Sequence, residues 1–199
     1  AVAGDSDVVT LGELLENLKN KPRKWVIGGG SAVGGWDHLK VLMAAKEYGI
    51  SNVRKIKYVS FDGGGDAVTQ LLAGNVQIFT GDVSEIKGFV DAGDIKIIAV
   101  LSPDRLPGDF SKFYTAKEQG VNVVGANWRG FYVPKGMSDD AYNFWAGAIK
   151  KMYDTPQWKK TMAKNGLAPL DLSGKAFEGF VANSVASIQT ISKQIGIIK

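Results

Sequence analysis

Three glycine-rich segments each follow a short apolar run and each precede a stretch with helical spacing: Gly28-Gly29-Gly30-Ser31-Ala32-Val33-Gly34-Gly35, Phe61-Asp62-Gly63-Gly64-Gly65 and Thr80-Gly81-Asp82. A strand that ends in glycines and runs into a helix leaves backbone N–H groups without intrahelical partners, and the helix dipole favours negative charge in front of them. The chemistry on offer is the binding of a carboxylate or a phosphate. The dipole contributes only ~0.3–1 kcal/mol at an exposed helix end, so affinity requires several donors converging. Glycine at the same places also lets a strand and a helix pack closely, and the sequence leaves both readings open.

Other chemistries fit these segments poorly. A P-loop requires Lys and then Ser or Thr straight after its last glycine, whereas Gly35 is followed by Trp36 and Asp37. A dinucleotide fingerprint counted from Gly28 meets Gly30 and then Val33 where its third glycine belongs, and counted from Gly30 it meets Ala32. Neither a triphosphate nor NAD is expected, and no other cofactor is implied. The chain has one histidine, His38, and no cysteine, which excludes a multi-histidine metal centre and thiol catalysis. Ser31, Asp37 and His38 invite a hydrolase reading, but neighbours on a helix project to different sides, so Asp37 cannot orient the His38 imidazole. No enzymatic reaction is expected. Trp36 reads either as a lid over a ligand or as a packing residue, and Asn127-Trp128-Arg129 either as a ligand wall or as a contact between two domains.

The elements that must position these segments alternate along the chain. Thr10 caps a first helix with Glu13 at capping-box spacing, and Leu11, Leu14, Leu15 and Leu18 give it a buried stripe up to Pro22. Lys24 to Ile27 reads as a strand and Trp36 to Tyr48 as a helix stopped by Gly49. The unit repeats as strand Ile56 to Ser60 with helix Asp66 to Ala73, then as strand Val76 to Thr80 with helix Ser84 to Ala92. Ile95 to Leu101 is predicted as a buried strand from its apolar run. This rhythm argues for a parallel α/β sheet with helices on both faces, and open sheets of that kind bind ligands at the carboxyl ends of their strands. After Leu101 the pattern changes to a polar connection over Ser102 to Tyr114, with further strands predicted at Val121 to Val124, Trp128 to Val133 and Leu167 to Leu170. Helices are expected from Ser138, from Thr155-Pro156 with proline at the first position, and from Ser173 to Gln194. A domain boundary falls near Gly125 to Asn127.

Composition bounds the remaining choices. The 199 residues are 45% hydrophobic and 22% charged, a balance that supports a core without disulfides and excludes disordered or collagen-like chains. Lysine and arginine exceed aspartate and glutamate by 24 to 20, and this diffuse +4 is too weak for a nucleic-acid footprint while mildly favouring small anions. No stretch approaches the ~20 apolar residues of a membrane span. Ala1 to Thr10 lacks a basic segment followed by an apolar run, so any signal peptide is expected to have been removed.

A series of short motifs then occurs in a telling order. Asp5-Ser6 with Thr10-Leu11, the Gly28 to Ser31 run with Gly34-Gly35 and Asp37-His38-Leu39, and Tyr58-Val59-Ser60-Phe61-Asp62-Gly63-Gly64-Gly65-Asp66 come first. Ala92-Gly93, Ile98-Ala99-Val100, Arg105-Leu106-Pro107, Glu118-Gln119-Gly120, Asn127-Trp128-Arg129-Gly130 and Pro134-Lys135-Gly136 follow, with Trp158 and Gly166 toward the last helix. In this order the chain resembles, over essentially its whole length, the substrate-binding proteins of tripartite tricarboxylate transporters, the TctC or Bug-type family.

The resemblance implies an α/β fold of the type II periplasmic-binding-protein kind, in which two lobes close on a small organic carboxylate and deliver it to a membrane permease. It implies a periplasmic location, a carboxylate ligand and the permease subunits as partners. Gly30, Ser31, Val33, Gly34 and Gly35 would grip a carboxylate through backbone amides and the Ser31 hydroxyl, while Phe61, Gly63, Gly64, Thr80, Gly81 and Asp82 would line the rest. The family has a Pro-Thr pair where this chain has Tyr114-Thr115, a difference that affects that loop. Members are longer, so residues 1–126 are expected to be one complete lobe, the second, and 127–199 the returning C-terminal part of the first, whose N-terminal part is absent. Such a piece is expected to expose strand edges and apolar helix faces and to self-associate. The alternative is a ligand-sensing effector domain, as in LysR-type regulators of the same fold, although no DNA-binding helices precede the motifs.

Overall fold

The computed structural model describes residues 1–198. The chain opens with a two-residue strand, β1 (Val2–Ala3), and continues into α1 (Leu11–Asn20). Thr10 caps α1 reciprocally: its hydroxyl accepts from the Glu13 N–H at 3.2 Å, and the Glu13 carboxylate accepts from the Thr10 N–H at 3.1 Å. The pair satisfies two donors that the helix start leaves bare. Leu11, Leu14, Leu15 and Leu18 are the buried residues of α1, as their spacing requires.

Three parallel strands follow, β2 (Val26–Gly29), β3 (Lys57–Ser60) and β4 (Ile78–Thr80), and they lie in the order β3-β2-β4. Gly29 stands opposite Ser60 on one side of β2 and opposite Thr80 on the other. The three strands therefore end level, and the segments that leave them emerge side by side. Their return helices are α2 (Trp36–Glu47), α3 (Gly64–Leu72) and α4 (Val83–Ala92). Gly49 and Gly93 stop α2 and α4 with φ of +91° and +83°, left-handed values that glycine adopts without penalty.

Strand alternation divides the core between the two faces. Ile27 and Ile78 join Leu15, Leu18, Leu39 and Leu42 in one cluster, whereas Phe79 joins Ala67, Val68, Leu71 and Ile86 in the other. The expected placement of helices on both faces of a parallel sheet is met.

Several strand predictions need correction. β2 begins at Val26 and takes in Gly28 and Gly29, so the first glycines belong to the strand and not to the turn. A Cβ on Gly28 would lie 3.1 Å from the side chains of Phe61 and Val76, which is why a strand residue there is glycine. Of the run from Ile95 to Leu101, only β5 (Ile95–Lys96) is a strand; it pairs antiparallel with β1, and Val100 makes an isolated bridge to Thr115. Val121 to Val124, Trp128 to Val133 and Leu167 to Leu170 join no ladder. Val121 and Val123 are nevertheless buried, so their apolar character serves packing and not strand pairing.

The remaining helices form as the sequence predicts: α5 (Asp139–Tyr153), α6 (Pro156–Lys164) and α7 (Gly174–Gln194). Ser138 and Thr155 cap the first two through their hydroxyls. α7 returns to the sheet domain, where Ile188, Ile191 and Ile195 join the first core cluster and the Arg54 guanidinium donates to the carbonyls of Ile195 and Gly196. α5, by contrast, has no buried residue. No helix among the described residues is long and apolar enough to cross a membrane.

Candidate functional site

The first two turns touch each other. A Cβ on Gly30 would lie 2.8 Å from the Gly63 carbonyl carbon and the Gly64 nitrogen, so this glycine permits backbone to pass against backbone. Within the first turn, the Ser31 hydroxyl accepts from the Asp37 N–H at 2.9 Å and thereby caps α2. The Tyr58 hydroxyl donates to the Ser31 carbonyl at 2.7 Å, and burial pushes the Tyr58 phenol above its ordinary pKa.

His38 closes the same loop. Its Nδ1 accepts from the Gly34 N–H at 3.0 Å, and its ring stacks on Tyr58 with centroids 4.6 Å apart. Only 8% of His38 is exposed, and burial holds its imidazole below the usual histidine range. Asp37 turns away and pairs with Lys40 at 2.7 Å, so the pairing needed for a triad is not made. The Gly35 N–H donates to the Ala32 carbonyl at 2.7 Å, which means that the amides of Gly34 and Gly35 are engaged inside the loop. The N–H groups of Gly30, Ser31, Ala32 and Val33 carry no hydrogen bond among the described residues. Those four are the donors of the first turn that remain for an anion.

A carboxylate already sits where the turns meet. Glu85 reaches back from α4 to accept from the Asp82 N–H at 2.9 Å. Its carboxylate carbon lies 2.2 Å from the position a Cβ would take on Gly64, and one oxygen lies 2.6 Å from the corresponding position on Gly81. The N-terminus of α3 therefore faces an internal anion, a favourable arrangement with the helix dipole. Phe61 lies partly buried against the second core cluster, and its N–H donates to the Gly29 carbonyl at 3.0 Å.

The third turn is tied to the rest of the molecule from two sides. The Thr80 hydroxyl donates to the Asp37 carbonyl at 3.1 Å, and Lys40, only 4% exposed, donates to the Asp37 carboxylate at 2.7 Å and to the Gly81 carbonyl at 3.3 Å. On the other side, Asp82 accepts from Asn127 Nδ2 at 3.2 Å and from Arg129 Nη2 at 2.6 Å. Gly125 passes so close to Lys40 that a Cβ there would lie 2.8 Å from Lys40 Cβ. Trp128, between Asn127 and Arg129, points the other way and meets Phe177 and Phe180 edge to face, with centroids 5.6 Å away in each case. The Asn127-Trp128-Arg129 segment is thus a junction, with polar side chains on the turn and its aromatic side chain against α7.

A cavity of about 1070 Å³ opens beside this junction. Lys40, Thr80, Gly81, Asp82 and Arg129 line its polar side, and aromatic residues such as Trp128, Tyr132 and Phe177 line much of the rest. Of the residues singled out in the sequence, Thr80, Gly81 and Asp82 face this cavity. Gly30, Ser31, Val33, Gly34, Gly35, Phe61, Gly63 and Gly64 lie along the neighbouring sheet edge outside it, with Phe61 lining a smaller hollow of about 330 Å³. Trp36 packs against the first core cluster, and its buried indole N–H meets no acceptor among the described residues. Glu85 and Lys40 were not legible as site residues; the spacing of Asp82 and Glu85 is itself a capping-box signal, whereas nothing in the helical pattern marks Lys40. No group of three or more His, Asp or Glu that could hold a metal ion occurs among the described residues.

A UPF0065 protein in the gbd 5' region of Cupriavidus necator is 23% identical over 198 residues, covering 100% of this chain and 58% of its own length. Among solved structures, Rpa4515 of R. palustris with adipate superposes with a TM-score of 0.85 at 21% identity, covering 98% of this chain and 64% of that one. The periplasmic binding protein BugD gives a TM-score of 0.81, also at 21% identity, with 98% of this chain and 64% of its own covered. The chain thus spans less than two thirds of the length of these proteins and shares their α/β fold, consistent with one lobe and part of another. The profile of the tripartite tricarboxylate transporter family receptor, TctC, matches residues 1–197, and the chain belongs to that family.

Proposed function

We propose that the protein is an extracytoplasmic receptor that captures a small organic carboxylate between two lobes in the periplasm and hands it, chemically unchanged, to the permease subunits of a tripartite tricarboxylate transporter. The observation that carries this reading is the run of unbonded amides at Gly30, Ser31, Ala32 and Val33, at the carboxyl edge of a parallel sheet in a chain of this family. The adipate in one fold neighbour and the periplasmic description of another support it. Residues 1–126 act as one lobe and 127–199 as part of the other, with Asn127-Trp128-Arg129 at the junction. Gly30, Ser31 and Val33 offer amides to the ligand, Gly34 and Gly35 shape the loop through their internal bonds, and Phe61, Gly63, Gly64 and the Thr80 to Asp82 turn complete the wall.

The protein performs no reaction on its ligand. The single histidine is committed to Gly34 as an acceptor, and its nearest carboxylate neighbour in sequence, Asp37, is committed to Lys40. Incubation with a panel of mono-, di- and tricarboxylates, read by titration calorimetry and by mass spectrometry of what is released, tests this. Recovery of an unchanged, saturably bound carboxylate is expected. Turnover abolished by His38→Ala would overturn the reading.

A further inference from the structure

The open amides of the first turn lie on a stretch that one pair of side chains pins at two points. At the first, the Tyr58 hydroxyl donates to the Ser31 carbonyl at 2.7 Å and lies 3.4 Å from the Ser31 hydroxyl. At the second, His38 Nδ1 accepts from the Gly34 N–H at 3.0 Å. Between them, Ala32 and Val33 carry N–H groups without a hydrogen bond among the described residues, and both are exposed. The two anchors form one unit, because the His38 ring stacks on the Tyr58 ring with an angle of 25° between the planes and 4.6 Å between centroids. Gly29 makes room for it: a Cβ there would lie 2.7 Å from the Tyr58 hydroxyl.

The histidine anchor works in one protonation state. An Nδ1 that accepts from an amide carries no proton, so the ring is neutral with its hydrogen on Nε2. A proton added at Nδ1 sets two donors face to face, and the Gly34 amide must turn away. Glycine has other conformations within reach, so its backbone does not resist that turn. Tyr58, on β3, is the titratable group in contact with the ring, and burial keeps it neutral across the range in which histidine titrates. Asp37 and Lys40 on α2 pair with each other, Glu16 of α1 accepts from Tyr48 and Asn20, Lys46 donates to Gln194 of α7, and Arg54 donates to the Ile195 and Gly196 carbonyls. None of these is bonded to the imidazole.

We infer that His38, backed by Tyr58, is the positioning residue of the anion-receiving turn: its neutral form sets the turn for binding and its protonated form releases it. This rests on the receptor reading above. The arrangement of the open amides holds while Ser31 and Gly34 are both pinned, so the turn takes an anion at neutral pH and gives it up in acid.

Trifluoroacetate, a carboxylate that stays ionised across this range, is the probe. It is titrated into the 199-residue chain and followed through the backbone amide resonances of Gly30, Ser31, Ala32 and Val33, with thermal melts showing that the chain is folded at each pH. Affinity is expected to fall about tenfold or more between about pH 7.5 and about pH 5. His38→Asn sets an acceptor oxygen where Nδ1 stands and cannot titrate, and its affinity is expected to stay level over the same range. Tyr58→Phe removes the other anchor and is expected to bind more weakly at both pH values while keeping the fall. A level affinity in the unaltered chain, a rise in acid, an equal fall in His38→Asn, or an unweakened Tyr58→Phe would overturn the positioning role and leave the receptor reading standing. No response of the four amides at about pH 7.5 would overturn both.

Discussion

The Gly34 N–H donates to His38 Nδ1 at 3.0 Å, so the glycine loop is closed by a histidine that must be neutral to hold it. Protonation of Nδ1 would replace an acceptor with a second donor facing the same amide.

This bond makes the loop sensitive to acid. Burial depresses the folded-state pKa of His38 below its ordinary 6.5, so the unfolded chain binds the proton first as pH falls. The contribution of His38 to stability is complete above the unfolded value and is lost as pH drops through it toward the folded one. Thermal melts from about pH 8 to about pH 5 should show the unaltered chain losing more stability than His38→Gln. Parallel pH profiles for the two proteins would show that His38 is not the responsible group.

Glu85 and Gly64 should behave as a coupled pair. A methyl group on Gly64 would enter the space of the Glu85 carboxylate, so Gly64→Ala is expected to cost about 1–3 kcal/mol. Glu85→Ala removes an acceptor for the Asp82 N–H and is expected to cost about 1 kcal/mol. In the double variant the clash is gone. Urea denaturation should therefore show a combined loss smaller than the sum of the two, and strict additivity would mean that the turns relax independently.

Gly34 and Gly49 offer a comparison between strain alone and strain with contact. Both have positive φ, +84° and +91°. A Cβ on Gly49 meets nothing within 4 Å, whereas one on Gly34 lies 3.1 Å from the Ile197 side chain. Replacement by alanine should cost about 1 kcal/mol at Gly49 through backbone strain, and more than that at Gly34. Chemical denaturation of the two variants gives the difference, which Ile197→Ala in the Gly34→Ala background should reduce.

The aromatic side chains near the junction predict association. Phe131 and Tyr132 are 68% and 72% exposed on a segment that joins no ladder, and Phe144 and Trp145 on α5 are 68% and 53% exposed. Sedimentation velocity at rising protein concentration should show oligomers, and Phe131→Ser with Phe144→Ser should shift the protein toward monomer.

What the sequence disclosed follows the range of the interactions involved. The Thr10 and Glu13 cap, the leucine stripe of α1 and the glycine stops after α2 and α4 depend on residues within one or two helical turns, and each formed as read. Trp128 to Val133 has the apolar run of a strand, but pairing depends on a distant partner that local composition cannot name. The same limit governs the site. That Ser31 would cap α2 and that Gly34 and Gly35 would spend their amides internally depends on how one turn folds back on itself. That Asp82 would hold Arg129 joins residues 47 positions apart.

Glu85 has one more effect, on the ionic surroundings. A helix start that faces its own carboxylate has no call on chloride or sulfate from the medium, because a fixed charge of the right sign already stands against Gly64. The amides of Gly30 to Val33 have no such resident charge beside them and stay open to anions from the medium. The resident carboxylate thus narrows the ways a salty environment can mimic a true occupant.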